Sequence, residues 1–67
     1  MNKYKVIEIL GSEEFESFLL SHNIGVGTIF TKGYAPTLFN LTIINFDNKS
    51  ISLRNEDFNK IKWEIVM

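Results

Sequence analysis

The sequence predicts a mainly β domain: a small five-stranded barrel with one α-helix between its first and second strands. Three observations predict it. Short runs of β-branched and aromatic residues recur along the chain, bounded by Gly, Pro, Asn, Asp or Ser. A single segment, Phe15 to His22, carries apolar spacing of helical period. The chain has 67 residues, which makes it one domain, 1–67, too short for an open two-layer sandwich. Curling a short sheet on itself closes the core and blunts its edges.

The first strand is read at residues 4–10, where Val6, Ile7, Ile9 and Leu10 dominate. Gly11-Ser12 breaks it. Ser12 suits a helix N-cap, because its hydroxyl can accept from an N–H one turn inside. Glu13 and Glu14 put negative charge in the first turn, where the helix dipole favours it. Phe15, Phe18, Leu19 and His22 fall on one face, so the spacing predicts a helix over 13–22. Asn23 reads as the left-handed residue just past the helix end, with Ile24 next, placed to pack back on Leu19. Gly25 and Gly27 punctuate the turn that follows.

The rest reads as β. A strand spans 28–34, with Ile29 and Thr31 on one face and Phe30 and Lys32 on the other. Ala35-Pro36-Thr37 is a loop, since Pro36 cannot sit in a central strand. Residues 38–46 form the strongest strand, apolar on both faces: Leu38, Ile44 and Phe46 on one, Phe39, Leu41 and Ile43 on the other. Asp47-Asn48-Lys49 is a hairpin turn. Residues 50–54 alternate, with Ile51 and Leu53 inward. Residues 55–60 make a short 3₁₀-like turn that tucks Phe58 inside. Ile61, Trp63 and Ile65 alternate with Lys62 and Glu64 in a last strand. Five short strands and one capping helix describe an SH3-like barrel.

Composition narrows function. A chain this short buries only about 60% of its unfolded surface, so its stability rests on an efficient core. It has 45% apolar residues and no cysteine, which leaves no disulfide and no thiolate metal cage. Lys plus Arg is 7 and Asp plus Glu is 8, a balance with no footprint for nucleic acid or an anionic membrane. No apolar run approaches the ~20 residues that span a bilayer. Glu8 interrupts the apolar N-terminal segment, so a signal peptide is not expected and the cytoplasm is the expected compartment.

Two segments resemble a known family. Leu19 to Thr28, LLSHNIGVGT, resembles the FeoA family (ferrous iron transport protein A): a helix ending in leucine, then a glycine, an aliphatic residue, two linkers, Gly-Thr and a strand. Asn23 stands where that family usually has glycine, Ile24 takes the aliphatic position, Val26 replaces a common proline, and Gly27-Thr28 match. Ser50 to Ile65 resembles its aliphatic-x-Leu-Arg strand, acidic turn and final strand, through Ile51, Leu53, Arg54, Glu56, Ile61 and Ile65. The resemblance implies an SH3-like fold and a non-enzymatic accessory of bacterial ferrous iron uptake. Its partner would be the cytosolic GTPase-like domain of the FeoB membrane transporter, with the membrane reached only through that partner. The same module occurs in iron-dependent repressors, so a metal-sensing role is the alternative.

Candidate chemistry is sparse. His22 is the single histidine, and a transition-metal site wants more N or S ligands. It reads as a helix C-terminal residue suited to the dipole. Glu13, Glu14 and Glu16 read as a solvated first turn, so no cofactor is expected beyond weak divalent-metal binding. Gly25-Val26-Gly27 follows a helix rather than preceding one and is no phosphate loop. The serines lack an evident base. Tyr4, Phe30, Tyr34 and Trp63 could line a groove, though Trp63 reads more simply as core. The expected contact surface is Phe30, Lys32, Tyr34 and Arg54, with an exposed Phe30 beside the 33–37 loop and self-association through nearby edges.

Overall fold

The computed structural model describes residues 2–33 and 39–66. Seven elements occur in order: β1 (Lys3–Ile9), α1 (Glu13–Ser21), β2 (Ile29–Gly33), β3 (Leu41–Phe46), β4 (Lys49–Arg54), α2 (Asn55–Phe58) and β5 (Ile61–Val66). The five strands form one antiparallel sheet in the order β4-β3-β2-β1-β5. The domain is mainly β, with its one long helix between the first two strands. Among the described residues no ladder joins the edge strands β4 and β5, so the sheet is open where the sequence predicts a closed barrel.

Strand β2 changes partner halfway. Ile29 and Phe30 pair with Lys5 and Tyr4 of β1, while Thr31, Lys32 and Gly33 pair with Asn45, Ile44 and Ile43 of β3. Two three-stranded halves therefore share this one short strand. Gly33 thus closes β2, inside the strand predicted over 28–34. The predicted Ala35-Pro36-Thr37 loop, with Tyr34 and Leu38, lies outside the described residues.

The inner face is legible from the register. In β1, Val6 pairs with Trp63 and Glu8 with Lys62, so Ile7 is the extra residue of a β-bulge. Ile7 and Glu8 both face out, which returns Ile9 to the inner face with Tyr4 and Val6. Strict alternation would have put Glu8 inside. Ile44 and Phe46 of β3, Leu53 of β4 and Ile61 of β5 complete the buried sheet face, and Leu19 and Ile24 cover it from the helix. Phe58 tucks in as the sequence predicts, from one turn of α-helix rather than a 3₁₀ turn.

Other boundaries shift for local reasons. β3 begins at Leu41, because Asn40 is left-handed at φ 52° and Phe39 is exposed ahead of it. The other face of β3, with Leu41 and Ile43, is half-buried. The β3–β4 hairpin pairs Phe46 with Lys49 across Asp47 and Asn48, both left-handed, as a two-residue type I′ turn requires. Ile65, expected inward, is exposed at the end of its edge strand.

Candidate functional site

The segment Leu19 to Thr28 is built from backbone chemistry. Ser12 Oγ accepts from the Phe15 N–H at 3.2 Å and starts α1. At the other end Ile24 N donates to Leu19 O and Asn23 N donates to Leu20 O, each at 2.9 Å. Those two bonds are a Schellman motif, with Asn23 at φ 64° as its left-handed residue. Leu19 and Ile24 are both buried in the core. The chain then turns: Thr28 N donates to Gly25 O, and Gly25 N donates to Thr28 Oγ1 at 3.0 Å. Gly27, at φ +97°, donates to Val6 O, and Val6 N donates to Thr28 O. The turn is thereby stitched onto β1 beside its bulge. Its side chains Leu20 and Val26 stay exposed, as does Phe18.

A second cluster was not foreseen as a unit. Tyr4 of β1 and Trp63 of β5 meet edge to face, with centroids 4.7 Å apart. Phe58 of α2 stands 6.3 Å from Trp63, and Phe30 stands 5.6 Å from Tyr4 and 6.2 Å from Phe58. Into this group reaches Lys32, whose Nζ is 4.3 Å from the Trp63 centroid, 4.9 Å from Tyr4 and 5.2 Å from Phe58. Each distance lies within the ~6 Å reach of a cation–π contact. Among the described residues the one ion pair is Lys60–Asp57, so Lys32 has no carboxylate partner there.

This corrects the expected contact surface. Phe30 is 2% exposed and belongs to the core. The face shared by Phe30 and Lys32 points inward, because Phe30 opposes Tyr4 and Lys32 opposes the buried Ile44. Tyr34 lies outside the described residues. Arg54 is exposed at the N-cap of α2 and makes no side-chain capping bond. Parity was the available signal: once Phe30 is core, Lys32 two residues on must share its side.

A polar clamp fixes α2 against β3. Asn55 donates from its backbone to Asn40 O at 3.0 Å and from Nδ2 to Asn40 Oδ1 at 2.9 Å. Thr42 Oγ1 donates to Asn55 Oδ1 at 2.7 Å, and Asn40 Nδ2 donates to Glu56 Oε2 at 3.2 Å. The clamp holds Phe58 under the aromatic cluster. His22 is exposed, its ring 4.8 Å from Phe18, and Glu13, Glu14 and Glu16 are exposed as the sequence predicts. Among the described residues no three His, Cys, Asp or Glu side chains gather, no cavity is open, and no helix is long and apolar enough to cross a membrane.

Comparison with family models, with curated proteins and with solved structures found no match.

Proposed function

We propose that the protein is a non-enzymatic interaction module of the FeoA type, with an SH3-like architecture, that binds and modulates the cytosolic domain of a FeoB-like ferrous iron transporter. The observation that carries the reading is the segment Leu19–Thr28. Its residues resemble the family pattern, and each has a structural duty: Asn23 stops the helix, Ile24 anchors it, and Gly27 and Thr28 tie the turn to β1. Two features of the sheet support the SH3-like part: a second strand shared between two halves, and a short helical turn before the last strand. The surface beside the carrying segment offers Phe18, Leu20 and Val26 as apolar contacts.

The test is a calorimetric titration of the chain with the cytosolic domain of such a transporter, loaded in turn with GTP and GDP. Binding in at least one state is expected. Leu20→Glu and Val26→Glu, both at exposed positions, should weaken it about tenfold or more while the circular dichroism spectrum is unchanged. Absence of binding in both nucleotide states overturns the reading.

A further inference from the structure

We propose that Tyr4, Phe58 and Trp63 form a receptor for a methylated ammonium group, held shut in the free chain by the side chain of Lys32. Three rings from three different elements, β1, α2 and β5, converge on one point, and a cation from a fourth element, β2, occupies it. The rings are not a parallel stack. Tyr4 and Trp63 are inclined at 75°, and Phe58 and Trp63 at 34°, so the cation meets walls at different angles. Phe30, buried and near both Tyr4 and Phe58, supports them from the core. The clamp of Asn40, Thr42 and Asn55 fixes the element that carries Phe58. The receptor is therefore held by the fold and does not need a ligand to assemble it.

The chemistry of this enclosure favours a larger and less hydrated cation than its present occupant. Its walls are neutral π faces, and among the described residues no carboxylate pairs with Lys32. A primary ammonium is a compact, strongly hydrated charge, and it loses water on entering such a place. A methylated ammonium keeps the charge, sheds little water, and presents methyl groups to ring faces; aromatic cages recognise such groups in this way. Nor does packing require a charge at position 32. The residue opposes buried Ile44, where an apolar side chain would fill space without a desolvation cost. Lys32 is only half-buried, on a flexible four-carbon stem, so it can return its ammonium to water.

The probe is tetramethylammonium, titrated into the full chain, with emission from Trp63, the single tryptophan, as the readout. Lys32→Ala should show a saturable change, at about tenfold lower concentration than the wild-type chain, which must first displace its own lysine. An uncharged carbon isostere of choline should give no such change. Choline and a peptide bearing Nε-trimethyllysine form two further arms. Tighter binding of choline assigns the site to free quaternary amines, and tighter binding of the peptide assigns it to methylated protein side chains. No saturable response in folded Lys32→Ala, or equal binding of the uncharged isostere, overturns the proposal. Should Lys32→Ala not fold, the wild-type titration decides, read from the Lys32 Nζ resonance by NMR. Displacement supports the receptor, and an unmoved resonance at saturating tetramethylammonium overturns it.

Discussion

The helix stop at Leu19–Thr28 and the strand that follows it, Ile29–Gly33, lie end to end in the chain and are specified in different ways. The first is specified by neighbours in sequence. The bonds that stop the helix and form its turn run from Ile24 to Leu19, from Asn23 to Leu20, and between Gly25 and Thr28; only at Gly27 and Thr28, bonded to Val6, does the segment reach a distant strand. The second is specified by distant partners: Tyr4 opposite Phe30, Ile44 opposite Lys32 and Ile43 opposite Gly33. A local device can be read residue by residue. A strand carries only a period of two, and which of its faces is inside depends on what it pairs with. In Ile29–Gly33 both faces begin with a large apolar residue, Ile29 and Phe30, so the pattern is balanced until pairing decides it. Pairing leaves Ile29 exposed and Phe30 buried.

The largest test of this contrast is Phe30→Ala. With the ring buried and set beside Tyr4 and Phe58, the substitution should cost about 3–5 kcal/mol, the usual range for emptying a core phenylalanine site. A domain of this size has a total stability of only about 3–10 kcal/mol, so urea unfolding should show a large fall in midpoint or a chain already unfolded. Had the strand presented its other face inward, the same change at an exposed site would cost about 0.5 kcal/mol or less. A midpoint shift that small would reverse the assignment of faces, and with it the position of Lys32.

Local devices are legible in the sequence, and features set by distant partners are not. Ser12, Asn23, the Asp47-Asn48 turn and Phe58 each announce themselves through local chemistry: a hydroxyl at an N-cap, asparagines and an aspartate at left-handed positions, an aromatic residue in a polar turn. The β1 bulge did not announce itself. It shifts one residue so that Ile9 rather than Glu8 faces in, and only the partner strand β5 reveals the extra residue. The aromatic cluster fell between. Tyr4 and Trp63 were visible as candidates, but their meeting with Phe58 and Lys32 depends on four elements arriving together.

Gly33→Ala probes the far end of β2 with an intermediate effect. A Cβ at that position would stand 2.8 Å from Ile43 Cγ2, 3.0 Å from Ile43 Cβ and 3.0 Å from Asn45 Nδ2. The closest atoms belong to a β-branched side chain on a paired strand, which has little room to turn aside. Overpacking of this kind costs about 1–3 kcal/mol, partly offset by the ~0.4–1 kcal/mol that a glycine-to-alanine change gains by stiffening the unfolded chain. The expected net loss is about 1–2 kcal/mol in urea, with the slope of the transition unchanged. A gain in stability would mean that residue 33 behaves as a free loop position and that β2 stops short of it.

Asn23 gives the smallest effect, and a pair of variants separates its two possible contributions. Its backbone is left-handed, φ 64°, and no hydrogen bond to its side chain occurs among the described residues. If conformation is what the position needs, Asn23→Ala should cost about 1 kcal/mol, because alanine lacks the tolerance of asparagine for that region. Asn23→Gly should then change stability by a few tenths of a kcal/mol at most, since glycine enters the region freely while adding entropy to the unfolded chain. At Asn23 a residue is chosen for its own backbone, and no distant partner should couple to it. A double variant with Gly33→Ala should therefore be additive within about 0.5 kcal/mol. Equal losses for Asn23→Ala and Asn23→Gly would show instead that the amide side chain itself holds the turn, and the helix stop would then be less local than its backbone bonds suggest.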